Sequence, residues 1–372
     1  YARIKLSSTS NTIRIGNDFD LYTHGLKTRI FDSHGLGSKF ATQKLVSNLK
    51  SIKPDIIHLH HLHGYYINYE ILFEYLQKYN IQVVWTFHDC WSFTGHCCYY
   101  DFVGCEKWKN ECYDCEQKNE YPKSLIFDRS NQNFHNKKII FNSIVNMTIV
   151  TVSNWLGSEV KKSFLKSYPI EIIHNGIDLD VFCPRNSRGI INDVYGVKDK
   201  IIILGVASTW DRRKGLDDFF KIFDLISNDK FVIILVGLSS NQLNVLPKGI
   251  IGIERTESLD QLANLYSAAD VFINTTYEDT YPTTNLESIS CGTPVISYNT
   301  GGSVESVNEN TGIVVEKGNI DEVIKAIENI IIKGSDFYKN KCREYALVNF
   351  NNQDKFNQYI ELYKKLKTSK NG

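Results

Sequence analysis

The chain has 372 residues, 42% hydrophobic and 23% charged, with 42 basic residues against 42 acidic ones. That composition excludes a disordered or collagen-like chain, and the zero net charge argues against a global electrostatic hold on nucleic acid. No run approaches the roughly 18 apolar residues of a membrane span, and no secretory signal is legible, so a cytoplasmic protein is expected.

Along the chain, short apolar runs alternate with longer amphipathic stretches. Ile56 to Leu59 reads as a buried strand, Tyr69 to Tyr79 as an amphipathic helix, and Val83 to Phe87 as the next strand. Met147 to Val152 is predicted as a strand and Ser153 to Leu165 as a helix. Ile170 to Ile173 is a further strand, running into the turn Asn175-Gly176. The polar stretch 183–199, with Pro184, Arg185, Asn186 and Gly189, is predicted as a linker. The pattern then restarts. Strands at 201–206, 231–236, 270–274 and 295–297 alternate with helices at 216–226, 259–268 and 282–290, and the tail 336–367 reads as helical.

Strand and helix alternating twice over predicts an α/β protein of two doubly wound domains, each with a mostly parallel sheet. The expected division is 1–182 for the first domain, 183–199 for the linker, 200–350 for the second domain, and 351–372 for a helix returning to the first. Two such domains leave a ligand cleft at their strand ends. The chain begins at Tyr1 and its one methionine is Met147, so a fragment is expected.

Nine cysteines are present, and six crowd into an insertion at 90–115. Reduced thiols are the default without a secretory signal, and a dense cluster then points to metal more than to disulfides. Cys112-x-x-Cys115 has chelating spacing, and Cys97 and Cys105 complete a four-sulfur structural zinc site, with Cys98 an alternative to Cys97. Such a closed site would be scaffold, not catalyst. The segment His58-Leu59-His60-His61-Leu62-His63 carries a His-x-His spacing but has no thiolate or carboxylate beside it in sequence, so it is not read as a metal site. Asp178-Leu179-Asp180 follows Asn175-Gly176 and reads as turn chemistry.

Three segments leave strands in the second half. Asp211-Arg212-Arg213-Lys214-Gly215 puts three cations on a βα loop, which suits a diphosphate or a solvated surface. Asp279 to Glu287 opens a helix with Pro282 in its first turn, where the N–H groups of Thr283 and Thr284 offer an anion site. Glu287 there suits the two hydroxyls of a ribose; helix-dipole placement is the competing explanation. Thr300-Gly301-Gly302 permits close backbone approach to a ligand, or is a plain turn. In the first half, His88 ends a strand and suits a general base, a substrate donor or a structural role.

The order of these segments resembles the retaining GT-B glycosyltransferases of family 4. The resemblance is carried by Asn175-Gly176-Ile177-Asp178, Arg213-Lys214-Gly215, Ala269-Asp270-Val271-Phe272, Asp279 to Glu287, Cys291-Gly292-Thr293-Pro294 and Gly301-Gly302. His88-Asp89-Cys90-Trp91 through Cys97 looks like members that build bacterial capsule, exopolysaccharide or O-antigen repeats. The resemblance implies two Rossmann-like domains facing across a cleft. It implies that Glu287 holds the nucleotide ribose, that Asp279 lies near the donor sugar where the family usually has Glu, and that Lys214 neutralises the diphosphate. The family's companion arginine falls on Val206 and Ser208, so Arg212 or Arg213 is expected to replace it. Arg255 and Thr256 match the region packing the base, and His88 matches a histidine near donor and acceptor. The family's first Gly-rich βα unit is not found in Tyr1 to Gly16 and is expected to be missing.

The implied reaction moves a hexose from a nucleoside diphosphate sugar, UDP rather than GDP, to a saccharide or polyprenyl-diphosphate-linked acceptor. Metal-independent, front-face chemistry with retention is implied. A same-fold nucleotide-sugar epimerase, a glycogen-type synthase and a non-enzymatic zinc-stabilised binding module are the competing expectations. Trp155 to Tyr168, with Lys161, Lys162 and Lys166 beside Leu156, Phe164 and Leu165, is a candidate for peripheral contact with the inner membrane.

Overall fold

The computed structural model describes residues 10–227 and 229–369. It divides into two compact units, Tyr1–Ile173 with Glu361–Gly372, and His174–Ile360. The reading of a missing first βα unit falls largely on residues 1–9, outside the described residues.

The first unit runs α1 (Asp18–Phe31), α2 (Lys39–Ile52), β1 (Ile56–Leu59), α3 (Tyr69–Lys78), β2 (Gln82–Phe87), α4 (Ser130–Phe141), β3 (Met147–Thr151), α5 (Asn154–Lys162) and β4 (Ile170–Ile172). Among the described residues its strands form one parallel sheet in the order β1-β2-β3-β4. Ile57 lies opposite Val83, and Val84 opposite Thr148. Every residue of β2 and β3 is buried, as a parallel sheet covered on both faces requires, so these strands show unbroken apolar runs. The Asn68 side chain accepts the Ile71 N–H to start α3, which buries Tyr69, Leu72, Phe73 and Leu76.

The second unit holds α6 (Arg188–Tyr195), β5 (Ile201–Val206), α7 (Leu216–Leu225), β6 (Phe231–Val236), α8 (Ser240–Asn244), β7 (Ile250–Ile253), α9 (Leu259–Ala268), β8 (Val271–Asn274), α10 (Thr283–Ser290), β9 (Val295–Tyr298), β10 (Gly312–Val315), α11 (Ile320–Lys333) and α12 (Ser335–Asn349). Its parallel sheet has the order β10-β9-β8-β5-β6-β7 among the described residues. The chain enters at β5, winds outward through β6 and β7, then crosses to β8 on the other side. The order therefore reverses between β5 and β8, where an open α/β sheet parts at its C-terminal edge. A final helix, α13 (Asn352–Ser369), begins in the second unit, and its residues from Glu361 onward belong to the first. There the Tyr363 hydroxyl lies 2.6 Å from His58 Nδ1, and Lys365 pairs with Glu171.

One expectation needs correction. The stretch 183–199 is not a linker, because α6 occupies it and its polar residues are tied down: Arg188 pairs with Asp270 at 2.8 Å, Arg185 with Asp260 at 2.7 Å, and the Ser187 hydroxyl donates to Asn264. Residues 174–182 also belong to the second unit, where Ile177 N–H bonds Phe350 O. In the segment 155–168 the apolar side chains divide, with Trp155 half-buried. Leu156 and Leu165 are fully buried and the half-buried Phe164 packs edge-on against Phe134, so these side chains belong to the core of their own unit. Among the described residues no helix is long and apolar enough to cross a membrane.

Candidate functional site

The loops leaving β5 and β8 meet at the point where the sheet order reverses. A single turn of 3-10 helix, Arg212–Lys214, follows β5; the Asp211 side chain caps it by accepting the Lys214 N–H. Gly215 closes the turn at φ +71, where a Cβ would stand 2.4 Å from the Thr275 carbonyl oxygen; glycine is what lets the two loops touch. Thr275 Oγ1 donates to Lys214 O, and Tyr277 N–H to Arg213 O at 2.7 Å. The cationic loop is thus pinned by its backbone, which leaves its side chains to be aimed.

Lys214 Nζ lies 2.7 Å from Asp279 Oδ2. Arg213 Nη1 donates to Glu278 O at 2.7 Å and stands 3.8 Å from the same carboxylate oxygen. Burial pushes the Asp279 carboxyl up, but Lys214 and Arg213 outweigh it and hold it below the usual range. Asp279 is fixed from its backbone as well, since its carbonyl accepts the Gly302 N–H at 2.9 Å. Gly301 passes so close that a Cβ there would stand 2.2 Å from that carbonyl, at φ +50. Gly301→Ala is therefore expected to cost at least about 2 kcal/mol and to displace Asp279. A thermal melt and a nucleotide titration on the same sample check this, and the two losses should appear together.

From Asp279 the chain turns through Tyr281, whose ring stacks on His174 at 4.8 Å, into α10. Pro282 begins this helix and no side chain caps it, so the backbone N–H groups at Thr283 and Thr284 form its positive end. One turn on, Glu287 accepts from Tyr266 OH at 3.0 Å and from the Thr283 side chain. Burial pushes its carboxyl up, and these hydrogen bonds return only part of the shift. The structure thus brings together Arg213, Lys214, Asp279, Gly301 and Gly302, with Thr283, Thr284 and Glu287 on the helix that follows. Arg212 sits exposed on the same turn. Arg255 and Thr256 follow β7 on the same sheet edge, but β5 and β6 separate that strand from β8.

Sequence reasoning passed over the supports of this site. Asp218, buried in the first turn of α7, accepts at 2.8 Å from the hydroxyls of both Tyr277 and Tyr298. Glu278, fully buried, anchors Arg213 through its carbonyl. An acidic residue three positions after the loop glycine Gly215 was the one available signal for Asp218, and helix-dipole placement explains it equally well.

In the first unit, His88 ends β2 inside a cluster of imidazoles. His60 Nδ1 lies 2.9 Å from His88 Nε2, and the His61 ring centroid stands 4.7 Å from that of His88. Burial, then His61 and His60, push the His88 imidazole down to about 3, so it is neutral at pH 7 and its protonation there is disfavoured. Asp89 follows it. Burial raises that carboxyl, but His63 and His61 outweigh burial and hold it well below the carboxylate range.

Several contacts pack the cysteine segment 90–115. Cys97 and Cys115 thiols hydrogen-bond each other, while Cys112 Sγ accepts the Gly95 N–H at 3.2 Å. Among the described residues Cys97, Cys105, Cys112 and Cys115 do not converge on one point; the sets that do are Asp32, His34 and His96, and His61, His63 and Asp89. Lys137 of α4 reaches under the segment, donates to Trp91 O at 2.7 Å and Thr94 O at 3.0 Å, and lies 3.6 Å over the Trp91 ring, while Asp32 takes His96 Nδ1 at 2.6 Å. Asp178 acts as a turn residue, its Oδ1 accepting the N–H groups of Asp180 and Val181.

Comparison with known proteins agrees in both units. WcaC of Escherichia coli K12, named as a colanic acid biosynthesis glycosyl transferase, is 25% identical over 326 residues, 84% of this chain and 77% of that protein. An Escherichia coli UDP-Gal:alpha-D-GlcNAc-diphosphoundecaprenol alpha-1,3-galactosyltransferase is 25% identical over 217 residues, a match spanning 55% of this chain and only 56% of that relative. Among solved structures, sucrose-phosphate synthase from Thermosynechococcus elongatus superposes with a TM-score of 0.66 at 20% identity, covering 89% of this chain and 79% of that one. Anabaena HepE in complex with UDP gives 0.65 at 13% identity over 87% and 82%. These structures share the GT-B fold of two parallel-sheet α/β domains. The family model "Glycosyltransferase Family 4" matches residues 14–181 and "Glycosyl transferases group 1" matches 199–333, and with both halves so matched the chain belongs to the group 1, family 4 glycosyltransferases.

Proposed function

We propose that this chain transfers a hexose, with retention, from a UDP-sugar to a saccharide or polyprenyl-diphosphate-linked acceptor in the synthesis of a bacterial surface polysaccharide. The observation that carries the reading is the Lys214–Asp279 pair, 2.7 Å apart at the point where the sheet order reverses, followed within one helix by Glu287. The departing group in such a transfer is a nucleoside diphosphate, and catalysis consists chiefly in meeting the charge it develops. Lys214 and Arg213 supply fixed positive charge, and the start of α10 supplies free N–H groups. In this reading those cations do at the diphosphate what a divalent metal does in other sugar transferases. Glu287, half-buried and hydrogen-bonded by Tyr266, suits a ribose diol. The donor base is taken as uracil by analogy with the HepE and galactosyltransferase relatives, whose names carry UDP or UDP-Gal. The polyprenyl-diphosphate-linked acceptor is taken by analogy with the galactosyltransferase relative alone.

The testing experiment is a thermal shift with UDP, GDP and ADP. At a hundredfold excess over Kd, UDP is expected to stabilise by about 2.7 kcal/mol, or roughly 5–10 °C. The rise should vanish in Glu287→Ala. An equal response to all three nucleotides would remove the uracil assignment, and no response to any would remove the donor site.

A further inference from the structure

The His-x-His segment after β1 has no carboxylate beside it in sequence, and the sheet supplies one. β1 and β2 are parallel hydrogen-bonded neighbours, so the residues leaving them, His60 to Gly64 and His88-Asp89, lie side by side. His61 Nδ1, His63 Nε2 and Asp89 Oδ2 form a triangle with sides of 3.2, 2.9 and 3.5 Å. Nitrogen and oxygen donors bound about 2.0–2.2 Å from one tetrahedral ion stand roughly 3.3 Å apart.

Two of the three donors are held from behind. Asp89 is buried and its Oδ1 accepts the Trp91 N–H at 2.9 Å, which leaves Oδ2 for the triangle. His63 is buried, with Nδ1 3.0 Å from the Tyr121 hydroxyl, and that hydroxyl donates to His63 O. With that donation made, the hydroxyl oxygen accepts from Nδ1–H. This assigned tautomer turns the Nε2 lone pair into the triangle, as an outer-shell partner does for a metal-bound histidine. The His61 side chain is 51% exposed, so the triangle has one open side. Three lone pairs this close repel unless a cation, a proton or a metal ion, sits between them. The other converging set differs: Asp32, His34 and His96 are fully buried, and His34 Nδ1 is taken by the Trp91 indole N–H at 2.6 Å.

We propose that His61, His63 and Asp89 hold a divalent transition-metal ion of borderline softness, of the Zn²⁺ class, with one coordination position open to solvent. Two imidazoles and one carboxylate suit that class, and an open position is what distinguishes a reactive or ligand-binding site from a closed structural one. The site rests on the first unit alone, so it stands or falls independently of the donor-site reading.

The test is a Co²⁺ titration of the full chain after chelator treatment, read by visible absorption, with Zn²⁺ as competitor. One equivalent should bind with ligand-field bands and without the charge-transfer band of a thiolate ligand, and Zn²⁺ should displace it. His61→Ala, at a half-exposed position that the fold does not need, should weaken binding at least about 100-fold. Cys112→Ser/Cys115→Ser should leave it unchanged. Binding that survives His61→Ala, a thiolate band lost in the cysteine variant, or no binding at all would each overturn the site.

Discussion

Lys214→Ala is expected to lower the turnover of sugar transfer about 10²–10³-fold, a loss of roughly 2.7–4 kcal/mol of transition-state stabilisation. The effect has two parts. The first is the missing cation at the diphosphate. The second comes from Asp279, whose carboxylate Lys214 meets at 2.7 Å and Arg213 only at 3.8 Å. Without the lysine, a part-buried anion stands where the leaving group becomes more negative. Asp279→Asn on the Lys214→Ala background should therefore recover part of the nucleotide affinity, although Asp279→Asn alone removes a partner from Lys214. A double-mutant cycle in UDP affinity and kcat checks this, and a coupling near zero would show that the two side chains act apart. The melting temperature should move little in either single variant, because backbone bonds from Thr275 and Tyr277 hold the loop.

The second unit's strands were legible because buried parallel strands are unbroken Ile/Val runs, and its donor-side residues because they leave those strands in a fixed order. The first unit hides more. α1 exposes Phe19, Tyr22 and Leu26 and buries His24, Gly25 and Thr28, the reverse of the pattern that periodicity detects. α4 buries Asn133 and Lys137 on its inner face because the segment it supports presents carbonyls and an indole, not methyl groups. The polar stretch at 183–199 read as a linker because composition does not show that Arg185 and Arg188 have carboxylates waiting on the other side of a helix. The meeting of His61 and His63 with Asp89 was out of reach for a different reason: it depends on β1 lying beside β2, a long-range pairing that no local window contains.

Those buried imidazoles set the last expectation, a first unit that loosens in mild acid. His24 is pushed down to about 4 by burial, against backbone hydrogen bonds that raise it and with Lys27 adding a little; its ring takes the Gly37 N–H. His34 is pushed down to about 3, again by burial first, with Asp32 opposing and Lys137 and His96 adding, and His58 to about 4 by burial and His60. A histidine whose folded pKa lies below 6.5 is neutral in the fold and protonated in the unfolded chain between the two values. The unfolded chain then binds more protons, so stability falls as pH drops through 6.5 and goes on falling to the folded pKa. At pH 5 each of the three costs about 2 kcal/mol. His88, pushed down to about 3, adds a loss of the same sign, and His61 and His96, raised because Asp89 and Asp32 outweigh their burial, return part of it. The same sign continues above neutrality through Lys137, lowered to about 7 by burial. It reverses near pH 9, where the unfolded chain releases thiol protons that burial retains in Cys112, Cys291 and Cys342, each pushed up to about 12. Stability should therefore peak between about pH 7 and 9, and the first unit should melt several degrees lower at pH 5 than at pH 8. Melts in chelator across that range, followed by hydrogen exchange in each unit, check it. His24→Phe does not serve as a control, because the ring nitrogen it removes leaves Gly37 N–H buried without a partner. A flat profile from pH 8 to 5 would mean that the buried imidazoles take up protons without loosening the fold.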